Sequence, residues 1–154
     1  MKYGFILSAA GNTPDPLTPV EILSHGSIGG ELRNKKGAAF CTGILEFNGN
    51  RTPPLTMMFD TGSSISVVDS SAVKSLTVPP LPEDYGTVFS ATDQVSAIPV
   101  YSAKLSIGNM KIDNVQLWEL DIASRGTHVI IGTDILKYGK LVYDGINGTF
   151  LFEI

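Results

Sequence analysis

Apolar residues in this chain fall in short runs of strand length, and sixteen glycines and nine prolines punctuate them at close intervals. Residues 38–47 (Ala-Ala-Phe-Cys-Thr-Gly-Ile-Leu-Glu-Phe) lead through Asn48-Gly49-Asn50 to a second apolar run at 54–59. Asn-Gly between two such runs is a strong hairpin signal, because both turn residues tolerate positive φ. Further strands are predicted at 64–68, 86–90, 95–107, 110–120, 128–131, 140–144 and 149–153, with Gly108-Asn109 and 145–148 as turns. Val20–Leu23 is a possible strand, whereas the Pro-rich stretch 14–19 and residues 26–37 read as loop.

Two short helices complete the pattern. Asp69-Ser70-Ser71 can cap a turn or two over Ala72–Leu76, and Thr133-Asp134 can open another over Ile135–Tyr138. Many short strands with so little helix predict an all-β, single-domain closed barrel or sandwich. A faint internal echo is also visible. Leu55–Phe59 and His128–Ile131 are both apolar strands that run into a glycine-containing turn, with a short helix beyond it.

Composition narrows the class. A length of 154 residues with 43% hydrophobic and 17% charged residues describes one globular domain rather than a disordered chain. The net charge of −4, without a basic block, argues against nucleic acid or an anionic membrane surface as partner. Cys41 is the sole cysteine, so no internal disulfide can form, and a reducing, cytoplasmic setting is expected. The apolar stretch after Met1-Lys2 is too short for a typical signal peptide, and no run approaches membrane-span length.

The chemistry concentrates at residues 57–64, Met-Met-Phe-Asp-Thr-Gly-Ser-Ser, which occur once. A carboxyl placed directly after an apolar strand is costly unless another group shares or stabilises its charge, a common way to build acid–base pairs. Asp60 is therefore the candidate catalytic residue. Gly62 suits a loop whose backbone N–H groups must approach a carboxylate. No Gly-x-Ser-x-Gly elbow, phosphate loop or dinucleotide fingerprint occurs. His25 and His128 lack neighbours at metal-ligand spacing and read as structural or surface residues. Cys41 reads as a small buried hydrophobe, and Trp118 as core or interface.

The run Phe59-Asp60-Thr61-Gly62-Ser63, with Ile130-Ile131-Gly132-Thr133-Asp134-Ile135-Leu136 about seventy residues on, resembles the retropepsins and their bacterial relatives, the retroviral-type aspartic proteases. The tail from Lys140 through Phe152 is similar to bacterial members. The resemblance spans residues 38–154 and implies a closed acid-protease barrel there, with residues 1–37 as an N-terminal extension of unassigned role, a pro-segment or an extra strand. It also implies an aspartic endopeptidase that needs no metal or organic cofactor. Thr61, Gly62 and Ser63 then form the active-site loop, and Ile131 and Gly132 pack behind it. Pepsin-like enzymes carry two such motifs on a longer chain. This chain carries one, so the expected enzyme is a C2 homodimer with one Asp60 from each subunit at the axis.

Finer expectations follow as well. Ser90, Ala91, Thr92 and Asp93 match the tip of a β-hairpin flap over a peptide-binding cleft, with Asp93 where relatives often have glycine. Ser64 and Thr133 stand where many viral members have an acidic and a basic residue. Phe150-Leu151-Phe152 is either an interleaving dimer strand or an ordinary core strand. The Ser63 hydroxyl is expected to donate to Asp60, lowering its pKa and favouring an acidic activity optimum. The alternative reading of the whole chain is a non-catalytic module of the same fold, for peptide binding by strand addition or for dimerisation.

Overall fold

The computed structural model describes residues 8–9, 19–33, 37–89 and 92–154, the first two by backbone alone. Among these residues the strands are β1 (Ser8–Ala9), β2 (Glu21–Ser24), β3 (Ser27–Glu31), β4 (Ala39–Phe47), β5 (Asn50–Arg51), β6 (Leu55–Phe59) and β7 (Ser66–Asp69). They continue as β8 (Asp84–Phe89), β9 (Gln94–Ile107), β10 (Met110–Leu120), β11 (Val129–Ile131), β12 (Lys140–Asp144) and β13 (Thr149–Glu153). Two helices, α1 (Ser70–Lys74) and α2 (Thr133–Leu136), and a 3-10 turn at Ala123–Arg125 complete the chain.

Six strands close a barrel in the order β9, β10, β7, β11, β6 and β4, with β4 returning to β9. The all-β barrel expected from the sequence is the fold. Closure comes from the length of β9, whose 14 residues pair with β8 at one end and with β4 and β10 further along. The Asn48-Gly49 turn has positive φ at both residues (50° and 82°), which fits the twist of the hairpin it closes. Short β5 lies within the return connection, paired with Glu46 and Phe47.

Burial follows the pairing. β6 alternates buried and half-buried residues, whereas all four residues of β7 are buried. Strand β7 lies between β10 and β11 with both faces covered, so no polar alternation is needed. The main core gathers Leu45, Phe47, Met57, Leu105, Met110 and Leu117 with other residues. Side chains of this size stabilise by roughly 1.5–3 kcal/mol each when fully buried. A second cluster of Ile65, Val67, Val88, Val100, Ile130 and their neighbours surrounds Trp118, which is core. A Cβ on Gly86 would fall 2.3 Å from the Trp118 ring, so the base of the β8–β9 hairpin sits directly on the indole.

A three-stranded sheet, β12–β13–β3, lies against the barrel. Phe150 and Phe152 point inward from β13, with ring centroids 5.6 and 5.3 Å from that of Phe59. β13 has both edges paired within the chain, so it is a central core strand and not a free strand for another copy. The loop reading of residues 26–37 is corrected by β3, which Gly29 and Gly30 had disguised. A Cβ on Gly29 would lie 2.9 Å from the Phe150 carbonyl oxygen, so glycine there reflects close backbone approach within a sheet. The Val20–Leu23 strand appears as β2, paired with β10. Residues 14–18 of the expected Pro-rich loop lie outside the described residues.

Candidate active site

The two echoing segments lie side by side. β6 and β11 pair in parallel, with Met57 opposite Val129 and Phe59 opposite Ile131. The pairing continues one step further, since the Asp60 N–H donates to the Ile131 carbonyl at 2.9 Å. The Thr133 N–H donates to the Ser63 carbonyl at 2.7 Å, which fastens the second segment behind the Asp60 loop. Ile131 and Gly132 thus lie beside the Asp60 loop. Gly132 is required by space rather than by conformation. A Cβ there would lie 2.3 Å from the Ile65 carbonyl oxygen and 2.7 Å from that of Ser63.

Asp60 is half-buried at the end of β6, Thr61 is exposed, and Gly62 is half-buried. The Gly62 N–H donates to Asp60 Oδ1 at 2.9 Å, the close backbone approach that glycine permits. Burial raises the Asp60 pKa above the usual aspartate value, while the Gly62 N–H and the Arg125 cation oppose that rise. The role expected for Ser63 is not what the hydroxyl does. Ser63 is fully buried, and its hydroxyl donates to the Ile65 carbonyl at 2.6 Å. A hydroxyl has one proton to donate, so Ser63 braces the turn and does not lower the Asp60 pKa.

Behind the loop, Asp134 accepts from the Ser66 hydroxyl at 2.8 Å and from the Ser66 N–H at 3.2 Å. Burial drives its carboxyl up to about 6, although these bonds and the Ile135 N–H favour the charged form. Asp69, the N-cap of α1, is a second buried carboxylate. Its Oδ2 accepts from the Ser71 N–H and hydroxyl, and its Oδ1 from the N–H groups of Ile122 and Ala123 at 2.7 and 2.9 Å. Burial alone would raise its pKa, but the Ser71 hydroxyl and the three N–H groups together hold it below the usual range.

Asp69 thereby fixes the turn that carries Arg125. That guanidinium lines a cleft of about 400 Å³ together with Val88, Asp93, Val95 and Ile98 of the β8–β9 hairpin and Ile122 beneath them. The region expected to act as a flap contains this hairpin. Thr92 and Asp93 lie exposed at its end, and Ser90 and Ala91 fall outside the described residues. The Asp93 carboxylate accepts the N–H of Gln94 at 2.8 Å. Sequence reasoning missed Arg125, which lies sixty-five residues from Asp60 in a stretch with no motif, and no local signal marks it. The Asp69 cap was legible, but its hold on residues 122–123 was not.

The remaining candidates have structural roles. His128 Nδ1 accepts the Thr56 N–H at 3.1 Å, and His25 is exposed. Cys41 is buried, and desolvation pushes its thiol up to about 12. Among the described residues, no three His, Cys, Asp or Glu side chains converge as a metal site, and no helix is long and apolar enough to cross a membrane.

Residues 44–135, more than half of the chain, match the family described as Aspartyl protease. The fold is similar to that of a retropepsin-like aspartic protease from Rickettsia conorii, with a TM-score of 0.58 and 16% identity over 87% of this chain and 92% of that one. No curated protein sequence matches the chain. A match over most of the barrel, which takes in both the strand that delivers Asp60 and the Gly132 segment behind it, makes this chain an aspartic peptidase of the aspartyl protease family with a retropepsin-like fold.

Proposed function

We propose that the protein is a homodimeric aspartic endopeptidase in which two Asp60 carboxylates, one from each subunit, share a proton and a water molecule. The observation that carries this reading is the geometry of Asp60 itself. One half-buried carboxylate stands on a loop braced from behind by Ile131, Gly132 and Thr133, and the motif occurs once in the chain. Two such groups about 3 Å apart cannot both ionise easily, so one is charged and the other protonated at working pH. The pair then titrates as a unit.

The ionised Asp60 removes a proton from the water as its oxygen bonds to the scissile carbonyl carbon. The protonated Asp60 donates its hydrogen bond to the carbonyl oxygen, which becomes a hydroxyl of the tetrahedral intermediate. Collapse of that intermediate breaks the C–N bond, with the proton passing to the leaving amine. No atom of the enzyme is consumed. The Gly62 N–H steadies the charged carboxylate throughout. In this reading Thr61, exposed on the loop, is available to bond the partner's loop, and residues 90–93 serve as a flap over an extended peptide. Residues 38–154 carry this machinery, with β2 and β3 contributing strands to it. A reducing compartment such as the cytoplasm fits the single buried cysteine.

The test is cleavage of a denatured protein across pH 3–7 by the wild type and by Asp60→Asn, together with solution mass. The amide oxygen of the substituted side chain can still accept the Gly62 N–H, so the loop should keep its shape. Turnover should fall by about 10³-fold or more. Cleavage that survives in the variant overturns the assignment, and peptide binding by wild type without cleavage favours a binding module.

A further inference from the structure

Strand β7 has β10 on one side and β11 on the other, so the chain must cross its end to pass between them. Residues 121–128 make that crossing, from Leu120 opposite Asp69 to Val129 opposite Val68. A connection laid over the end of a buried strand turns backbone N–H groups toward the interior, where each needs a partner. Here the partners come from one residue.

Asp69 holds the crossing at both ends. At its start, Asp69 Oδ1 accepts the N–H groups of Ile122 and Ala123 at 2.7 and 2.9 Å. At its finish, the Asp69 N–H donates to the His128 carbonyl at 2.8 Å, and the His128 N–H donates to the Thr56 carbonyl at 2.9 Å. The other carboxylate oxygen, Oδ2, caps α1 through the N–H and hydroxyl of Ser71. Capping a five-residue helix needs only one acceptor, which a serine supplies about as well. The second oxygen, with its stronger charge-assisted bonds, serves the crossing.

What the crossing carries is Arg125. The turn Ala123–Arg125 lies between the two anchors, closed by the Arg125 N–H on the Ile122 carbonyl at 2.9 Å and the Gly126 N–H on the Ala123 carbonyl at 3.0 Å. Buried Ile122 forms the floor of the cleft under the β8–β9 hairpin, and half-buried Arg125 forms part of its wall. The crossing then runs into β11, which pairs with the strand that delivers Asp60.

Among the described residues that line the cleft, Arg125 is the only cation, and Asp93, Glu119 and Asp121 supply carboxylates. Glu119 accepts the Tyr101 hydroxyl at 2.7 Å, and Asp134 lies behind the Asp60 loop, bonded to Ser66. On a slack loop, a long side chain among three carboxylates would divide its charge among them. Anchoring the loop at both ends decides which carboxylate that charge serves. The Arg125 charge opposes the effect of burial on Asp60, and the Asp60 carboxylate supports it in return.

We propose that Asp69 is a positioning residue for the peptidase reaction. By clamping the crossing at both ends, it keeps the Arg125 guanidinium directed at Asp60 rather than at the other carboxylates of the cleft. This rests on the reading of Asp60 as the catalytic carboxylate.

The experiment is kcat/KM against pH for Asp60-dependent cleavage by the full chain. Asp69→Ser keeps an acceptor for the Ser71 N–H, but its oxygen is too short to reach Ile122 and Ala123, so α1 stays capped while the crossing is released. Its acidic limb should rise by about 0.3–0.5 pH unit, in the direction of the Arg125→Gln shift and short of it. Asp69→Asn, which keeps the size but not the charge, should move the limb the same way. Joining either change to Arg125→Gln should add no further shift, because the group it acts through is gone. Ser71→Ala takes a donor from Oδ2 and none from Oδ1, so it should lower stability and leave the limb in place. Far-UV circular dichroism and thermal unfolding check the fold of each variant. An unmoved limb in a folded Asp69 variant, a shift that adds to that of Arg125→Gln, or an equal shift in Ser71→Ala overturns the proposal and leaves the Asp60 reading intact. Loss of the fold in both Asp69 variants also overturns it, since the residue would then be structural only. Cleavage that is absent from the wild type, or that survives in Asp60→Asn, removes the Asp60 reading instead.

Discussion

Ser66 donates both its N–H and its hydroxyl to Asp134, sixty-eight residues downstream, and its hydroxyl oxygen in turn accepts the Gly132 N–H at 3.1 Å. One serine therefore ties the strand leaving the Asp60 loop to the helix behind it. The carboxylate it engages is largely buried, with a pKa of about 6.

That raised pKa makes Asp134 a source of pH-dependent stability. Its folded pKa lies above the unfolded value of 3.8, so the folded state holds the proton longer. The stabilisation is fully present below about pH 4 and is lost as pH rises through about 6, amounting to at most about 3 kcal/mol. Urea unfolding of wild type and Asp134→Asn between pH 4 and 7 checks this. The wild type should lose more stability than the variant as pH rises, and equal slopes would refute it.

Gly132→Ala should be among the most damaging small substitutions in the barrel. Its new methyl would press on two carbonyl oxygens of the backbone, which cannot swing aside as a flexible side chain could. A loss of about 2–4 kcal/mol is expected, as for other overpacked sites. Chemical denaturation measures it, and a loss under about 1 kcal/mol would show that the loop gives way easily.

Arg125→Gln should shift the acidic limb of the pH–rate profile to higher pH. The Arg125 cation favours the charged form of Asp60, and its removal leaves burial less opposed. Arg125→Lys keeps the charge and should leave the limb near its wild-type position. The profile of kcat/KM against pH reads both variants, and an unmoved limb in the glutamine variant would remove Arg125 from the electrostatics of the site.

Ser63→Ala separates two roles for that hydroxyl. Because the hydroxyl bonds the Ile65 carbonyl, its loss should destabilise the chain by about 1–2 kcal/mol and leave the pH optimum in place. A shifted optimum with unchanged stability would instead return Ser63 to the Asp60 carboxylate. Thermal unfolding and the pH–rate profile together decide between them.

Much of the fold was legible because its signals are local. An apolar run after the turn at 145–148 marked β13, Asn48-Gly49 marked a turn, and Asp69 marked the start of α1. β12 and β10 fall at their expected bounds. β3 escaped notice because Gly29 and Gly30 answer to the close approach of β13, a neighbour more than a hundred residues away. Strand β7 begins at Ser66 rather than at residue 64, since Ser63–Ile65 are held in the turn that backs Asp60.

Asp60 and its loop were readable from the chain alone, because a carboxyl at the end of an apolar strand is costly wherever the strand goes. The same holds for Gly132, as half of a repeated strand-and-turn pattern. Tertiary structure alone decided which way the Ser63 hydroxyl points, that Asp69 holds the Arg125 turn, and that β13 lies inside its sheet while β12 has one edge unpaired among the described residues. Those outcomes depend on hydrogen bonds and pairings between residues far apart in sequence, and local pattern carries no record of which distant group arrives as partner.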